Sequence, residues 1–143
     1  RPHVQPAMSL HARVVAVREM ADGWPIGYGA THRVQGRTRV AVVAAGYANG
    51  VSRRLSNRGR VLIRGRSCSI VGRFCMNQTM VALPGDLPVE VGDEAVFLGR
   101  QGDQVISVEE WCQHLDTIPH EILCQVGAVR PRLYRSRDGA PSP

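Results

Sequence analysis

Apolar and polar positions along the chain alternate in short runs, each broken by glycine, proline or an Asn-Gly or Asp-Gly pair. That rhythm belongs to closely spaced strands rather than to a helical bundle. Over residues 9–19, Leu10, Ala12, Val14 and Ala16 share one face, and Val15 and Val17 make the other face partly apolar, which predicts a strand. Asp22-Gly23-Trp24-Pro25 follows as a turn. Residues 39–45 are almost wholly apolar up to Gly46 and predict a strand covered on both faces. A β-branched run over 60–64 and a return over 68–72, parted by a turn at Gly65-Arg66, predict a hairpin. Further strands are expected over 79–83 and 94–98, with loops at Pro84-Gly85-Asp86-Leu87-Pro88 and Val91-Gly92-Asp93.

One short helix interrupts the strands. Ser107-Val108-Glu109-Glu110 reads as a capping box, with Ser107 accepting a backbone N–H and Glu110 reaching back. Val108, Trp111, Cys112 and Leu115 then form a stripe at helical spacing, which makes Trp111 and Cys112 core candidates. Residues 117–127 are a further apolar segment containing Pro119-His120-Glu121. The expected fold is mainly β: a small closed, Greek-key-like β-barrel with one short helix. Residues 1–8 read as a linker from a preceding domain, 9–134 as the domain itself, and 135–143 as a flexible tail.

Composition narrows the chemistry. A length of 143 residues suits one domain with a real core. No apolar run approaches the roughly 20 residues of a membrane span, and nothing at the N-terminus resembles a signal peptide, so a cytoplasmic protein is expected. The net charge is +6 and all 18 basic residues are arginine. Without a lysine, this chain cannot form a lysine Schiff base. Arg53, Arg54, Arg58, Arg60, Arg64 and Arg66 are close in sequence. They lack the interleaved aromatics of a nucleic-acid surface and read as a solvated or ion-paired face. Cys68, Cys75, Cys112 and Cys124 have no metal-ligand spacing and read as free thiols.

Candidate chemistry sits in the glycine loops. In Gly27-Tyr28-Gly29 the tyrosine has no Cβ beside it on either side, so a ligand or second chain can approach closely. Taken alone, the loop also reads as a tight turn with a tyrosine on its edge. A tyrosine, with an ordinary pKa near ~10, serves as acid or base only where its surroundings lower that value. Gly46-Tyr47-Ala48-Asn49-Gly50 and Ile70-Val71-Gly72-Arg73-Phe74-Cys75-Met76-Asn77-Gln78 follow. From the residues alone, Cys75 and Met76 read as readily as core side chains.

Those three loops, with Val91-Gly92-Asp93, Ile106-Ser107 and Thr117-Ile118-Pro119-His120-Glu121, occur in an order that resembles the C-terminal domain of alanine racemase. The resemblance covers residues 8–134. It implies a pyridoxal-phosphate enzyme of small amino acids, in which a cofactor-carrying N-terminal barrel precedes this β domain. Two such chains pair head to tail as a homodimer, each site taking residues from one chain's barrel and the other's β domain. The resemblance implies Tyr28 as the catalytic base opposite a barrel lysine, with neighbours from the other chain favouring its phenolate. The backbone N–H of Met76 would hold the substrate carboxylate, with Cys75 beside it and Tyr47 close by. Arg53, Arg73 and Ile118 would line the substrate corridor, and His120 would reach the cofactor phosphate.

The implied reaction interconverts L- and D-alanine, the latter a peptidoglycan precursor, and the isolated domain is expected to be inactive. Three positions depart from the family: Asn49 and Asn77 stand where aspartate is usual, and His120 where tyrosine is common. A histidine there can donate to a phosphate, or simply be satisfied at the end of an element. The departures leave open a racemase of serine or of broad specificity. A non-enzymatic β-barrel module, binding a protein or an anionic surface through the arginine cluster, is the reading from a different class.

Overall fold

A computed structural model describes residues 6–129 and 131–136. The first five residues of the expected linker, and the tail beyond 136, lie outside the described residues. Met8, the last residue assigned to the linker, packs against the main core.

The strands are β1 (Leu10–Met20), β2 (Pro25–Ile26), β3 (His32–Arg33), β4 (Thr38–Val43), β5 (Arg60–Ile63), β6 (Arg66–Ile70), β7 (Thr79–Ala82), β8 (Glu94–Gln101) and β9 (Gln104–Ile106). All pairings are antiparallel. The main sheet runs β1-β4-β7-β6-β5-β8-β9, and β8 pairs back onto β1, so six strands close into a ring. The expected closed barrel is present, and its non-sequential order is of the Greek-key kind.

Closure depends on β1. Its first part, Leu10 to Arg13, pairs with β8, and the part from Val14 onward pairs with β4. A register irregularity between Val14 and Ala16 marks the change of partner. A bulge bends a strand and increases its twist, as a barrel corner requires. It also corrects the simple alternation expected for this strand. Leu10, Ala12 and Val14 face the core, but Val17 then joins them while Val15 is exposed.

The β5–β6 hairpin turns at Arg64-Gly65, one residue earlier than expected, with both residues at positive φ (50° and 73°). Two left-handed residues in a two-residue turn match the twist of the strands they join. Strand β8 is longer than 94–98 and folds back as β9 through Gly102, a hairpin that the sequence pattern did not announce.

Two helices follow rather than one: α1 (Val108–Leu115) and α2 (Pro119–Gly127). The second is the apolar segment containing Pro119, and its proline occupies the start of the helix, where a missing N–H costs nothing. Ser107 caps α1 by accepting from the Glu110 N–H, as expected. Glu110 does not complete the box. Its carboxylate instead receives Arg60 Nε and Nη2, both at 2.7 Å, tying α1 to β5. Trp111 and Leu115 are buried, Cys112 partly so.

The barrel interior holds Val14, Ala41, Val43, Leu62, Val81, Phe97 and their neighbours. A second, smaller cluster of Ile26, Val34, Val40 and Val71 lies under the β2–β3 ribbon. That ribbon carries the Tyr28 loop, so the cluster anchors the loop to the barrel wall.

Candidate active site

The Tyr28 loop is a single 3-10 turn, Tyr28–Ala30, between the two strands of the ribbon. Gly27 and Gly29 take φ of 75° and 73°. A Cβ at Gly27 would lie 2.8 Å from the Arg73 backbone nitrogen, and one at Gly72 would lie 2.9 Å from the Ile26 carbonyl oxygen. Glycine is therefore required on both sides of this contact, which seats the tyrosine loop directly on Gly72-Arg73. The Arg73 side chain continues under the loop, its Nη1 at 3.7 Å from where a Gly29 Cβ would stand. Tyr28 itself is 68% exposed.

The second loop, the 3-10 turn Tyr47–Asn49, docks on the third. The Tyr47 and Ala48 N–H groups donate to the Cys75 and Met76 carbonyls at 3.2 and 2.9 Å. A Cβ on Gly46 would collide with the Cys75 carbonyl oxygen. Asn49 closes its own turn by accepting the Gly46 N–H at 3.0 Å. The Cys75 N–H donates to Gln78 at 3.1 Å, and the Met76 N–H has no partner among the described residues. Met76 and Tyr47 are exposed and Cys75 half-buried.

The structure thus brings Tyr28, Arg73, Cys75, Met76 and Tyr47 onto one connected group of turns. Arg53 follows closely: it lines, with Tyr47, Gly50, Gln125 and Val129, a cavity of about 410 Å³ between the Tyr47 turn and the C-terminal end of α2. Ile118 and His120 are not brought to the group in the same way. Both are exposed at the N-terminal end of α2. The other end of that helix packs on Gly50, whose Cβ would meet Gln125 and Val129. At 1.5 Å rise per residue, Ile118 and Gln125 are about 10 Å apart along the axis.

Sequence reasoning passed over the residues that hold the group together. Asn57, at a left-handed φ of 59°, donates from Nδ2 to Thr31 Oγ1 at 3.1 Å and accepts the Gly72 N–H on Oδ1 at 2.6 Å. Ser56 Oγ accepts the Phe74 N–H at 3.0 Å and donates to the Arg53 carbonyl. The signal available was the polar run Ser56-Asn57-Arg58-Gly59, since serine and asparagine bond readily to nearby backbone.

The arginine cluster divides in two. Arg60, Arg64 and Arg66 pair with Glu110, Asp93 and Asp86. Arg53, Arg54 and Arg58 are exposed with no acidic partner among the described residues. All four cysteines are free, no group of described residues forms a metal-ligand set, and no described helix is long and apolar enough to span a membrane.

The fold is a closed six-stranded antiparallel β-barrel with linked, exposed turns on its outside. The chain matches the family described as alanine racemase, C-terminal domain, over residues 7–134, and it belongs to that family. An alanine racemase of Symbiobacterium thermophilum is 46% identical over 129 residues, covering 90% of this chain and 34% of that protein. The crystal structure of alanine racemase from Bacillus anthracis with bound L-Ala-P superimposes with a TM-score of 0.88 at 37% identity, covering 96% of this chain and 34% of that one. Alanine racemase from Bartonella henselae with covalently bound pyridoxal phosphate gives 0.76 at 30% identity, covering 82% and 32%. The chain spans about a third of the length of the relatives it matches.

Proposed function

We propose that this domain supplies one side of the active site of an alanine racemase, a cytoplasmic pyridoxal-phosphate enzyme whose site is completed by a barrel domain. The observation that carries the reading is the linked display of Tyr28, Tyr47 and the unpartnered Met76 N–H on outward-facing turns. Groups so exposed act on a small substrate only when a second body covers them, which supports a head-to-tail pair of complete chains. The names of the relatives support the substrate and the reaction type.

The residues present suit part of the cofactor. His120 stands in the first turn of α2, where no side chain caps the backbone amides, and its ring can donate to a phosphate. The chain has no lysine to hold the cofactor covalently. Bound pyridoxal phosphate supplies the electron sink that makes an amino acid's α-proton removable. On this reading the Tyr28 hydroxyl oxygen takes or returns that proton on one face of the substrate, and the lysine-bearing barrel serves the other. The Met76 N–H, held in a turn and unspent, orients the substrate carboxylate with no cost of reorganisation. Arg53, Arg73 and Ile118 restrict what reaches the site, and Cys75 and Tyr47 shape its wall.

In the full-length protein, Tyr28→Phe should lower kcat for alanine racemisation by at least about 100-fold, the scale of losing general acid–base catalysis. Retention of wild-type turnover by that variant refutes the assignment. The purified 143-residue chain should show no turnover with added pyridoxal phosphate; turnover there would overturn the division of labour. A module that only binds through arginine is less well supported, because half the cluster is already neutralised by carboxylates.

A further inference from the structure

We propose that Asn57, assisted by Ser56, is the positioning residue that sets Tyr28 relative to the Met76 amide. The inference rests on the reading of Tyr28 and Met76 as the proton-transfer and carboxylate-binding groups. Neither Ser56 nor Asn57 touches the substrate in this scheme.

The geometry assigns the role. The Tyr28 loop leaves the barrel as a two-stranded ribbon with the strand pairs Pro25–Arg33 and Ile26–His32, continued at its base by backbone bonds between Val34 and Gly23 and Trp24. The buried Ile26 and Val34 anchor the base of this short ribbon, and the place of its tip, from Gly27 to Thr31, depends on what the tip touches. Beneath, it rests on Gly72-Arg73 by close backbone approach. Sideways, its described side-chain hydrogen bond runs from Asn57 Nδ2 to Thr31 Oγ1 at 3.1 Å. The same asparagine holds the Gly72 N–H at 2.6 Å, and Ser56 holds the Phe74 N–H at 3.0 Å. Gly72 and Phe74 flank Arg73 and lead directly into Cys75 and Met76. One two-residue clamp therefore grips both halves of the site, through one amide side chain and one hydroxyl.

The residue type is specific to the task. Position 57 is left-handed, with φ of 59°. Asparagine tolerates that conformation and also offers a donor and an acceptor from one planar group. Glycine would keep the backbone and lose both bonds. Ser56 adds a second tie, because its hydroxyl donates to the Arg53 carbonyl and so links the clamp to the edge of the Tyr47 cavity.

Because each contact serves a different half, the variants should separate in kinetics. In the full-length racemase, Thr31→Val cuts only the tie to the tyrosine loop, and should lower kcat about 10- to 100-fold with KM changed by less than about threefold. Ser56→Ala loosens the Cys75-Met76 side, and should raise KM more than it lowers kcat. Asn57→Gly should do both. The Thr31→Val and Asn57→Gly losses in kcat should not multiply in the double variant, since both remove the same bond. With α-deuterated substrates, Thr31→Val should raise the isotope effect for the alanine enantiomer whose α-proton Tyr28 removes and not raise it for the other, because Tyr28 serves one face. Melting temperatures are measured alongside. If Asn57→Gly fails to fold, the exposed Thr31→Val carries the test.

The proposal is overturned if Thr31→Val keeps kcat within about twofold of wild type. It is overturned equally if the loss comes with no enantiomer-specific isotope effect, or if the two losses multiply. Tyr28→Phe in the same assay separates the possibilities. An inactive Tyr28→Phe beside an unaffected Thr31→Val sinks the clamp alone, whereas an active Tyr28→Phe sinks the functional reading on which it stands.

Discussion

Gly46 shows how a residue without a side chain decides the site. Its backbone is extended, with φ of −146°, so conformational freedom is not the reason for glycine here. The reason is space, because the Cys75 and Met76 carbonyls occupy the place of a Cβ. Gly46→Ala should push the Tyr47 turn off the Cys75 turn at about 1–3 kcal/mol, the usual cost of overpacking, visible as a lower urea midpoint. Asp93 is a different kind of keystone. It accepts from Arg64 Nε at 2.7 Å and Nη2 at 3.0 Å and from the Glu90 N–H at 2.9 Å. The Arg64 hydrogen bonds, with the Glu90 amide, hold its carboxyl below the ordinary range. A carboxyl depressed on folding stabilises above its unfolded pKa near ~3.9, and that contribution is lost as pH falls through the folded value. Asp93→Asn should therefore lower stability at neutral pH and flatten the acid limb of a stability–pH curve. The thiols differ through burial. Desolvation pushes Cys68 up to about 11, while Cys124 is exposed. At pH 8 an alkylating reagent should mark Cys124 in the native protein and Cys68 only on unfolding, read by mass spectrometry.

Among the elements, α1 illustrates a motif whose two halves had different fates. Ser107 performed the capping role because it needs only its own turn, and Ser107→Ala should cost about 1 kcal/mol, seen as a fall of roughly 3 °C in Tm. Glu110 was drawn away by Arg60, a partner 50 residues distant in sequence. A charge-assisted pair with a guanidinium outweighs a single bond back to the capping residue. Helix α2 leaves little trace in the sequence for a related reason. Its stripe is short, and only Ile122 and Val126 are buried, so its period is faint. The barrel core, rather than intrinsic propensity, makes it a helix.

Across the whole molecule, the barrel acts as a frame that presents the candidate turns on its outside. The site group is held by hydrogen bonds between turns rather than by a pocket of its own. On the proposed reading, a domain with a full hydrophobic core therefore supplies only part of the site. The same frame accounts for the arginines. Those on β5, β6 and their turn meet carboxylates from other elements, whereas Arg53, Arg54 and Arg58 on the turns after Tyr47 stay unpaired among the described residues. A vesicle or polyanion binding assay should accordingly show only weak, salt-sensitive attachment of the isolated domain.

Much of this was already present in the order of residues. Period-two runs set most strands because alternation is a local property of the pleat, and the glycines beside Tyr28 and Tyr47 and ahead of Cys75-Met76 marked the closely packed turns because backbone approach leaves a compositional trace. The sequence by itself thus determined a β domain, the family it belongs to and the candidate residues. The bulge that lets β1 close the ring, the early turn at Arg64-Gly65, and the capture of Glu110 by Arg60 were decided only by the tertiary structure. So was the clamp of Ser56 and Asn57 across Thr31, Gly72 and Phe74. Each of these depends on which distant backbone group comes within about 3 Å, and hydrogen bonds at that range carry no periodicity along the chain.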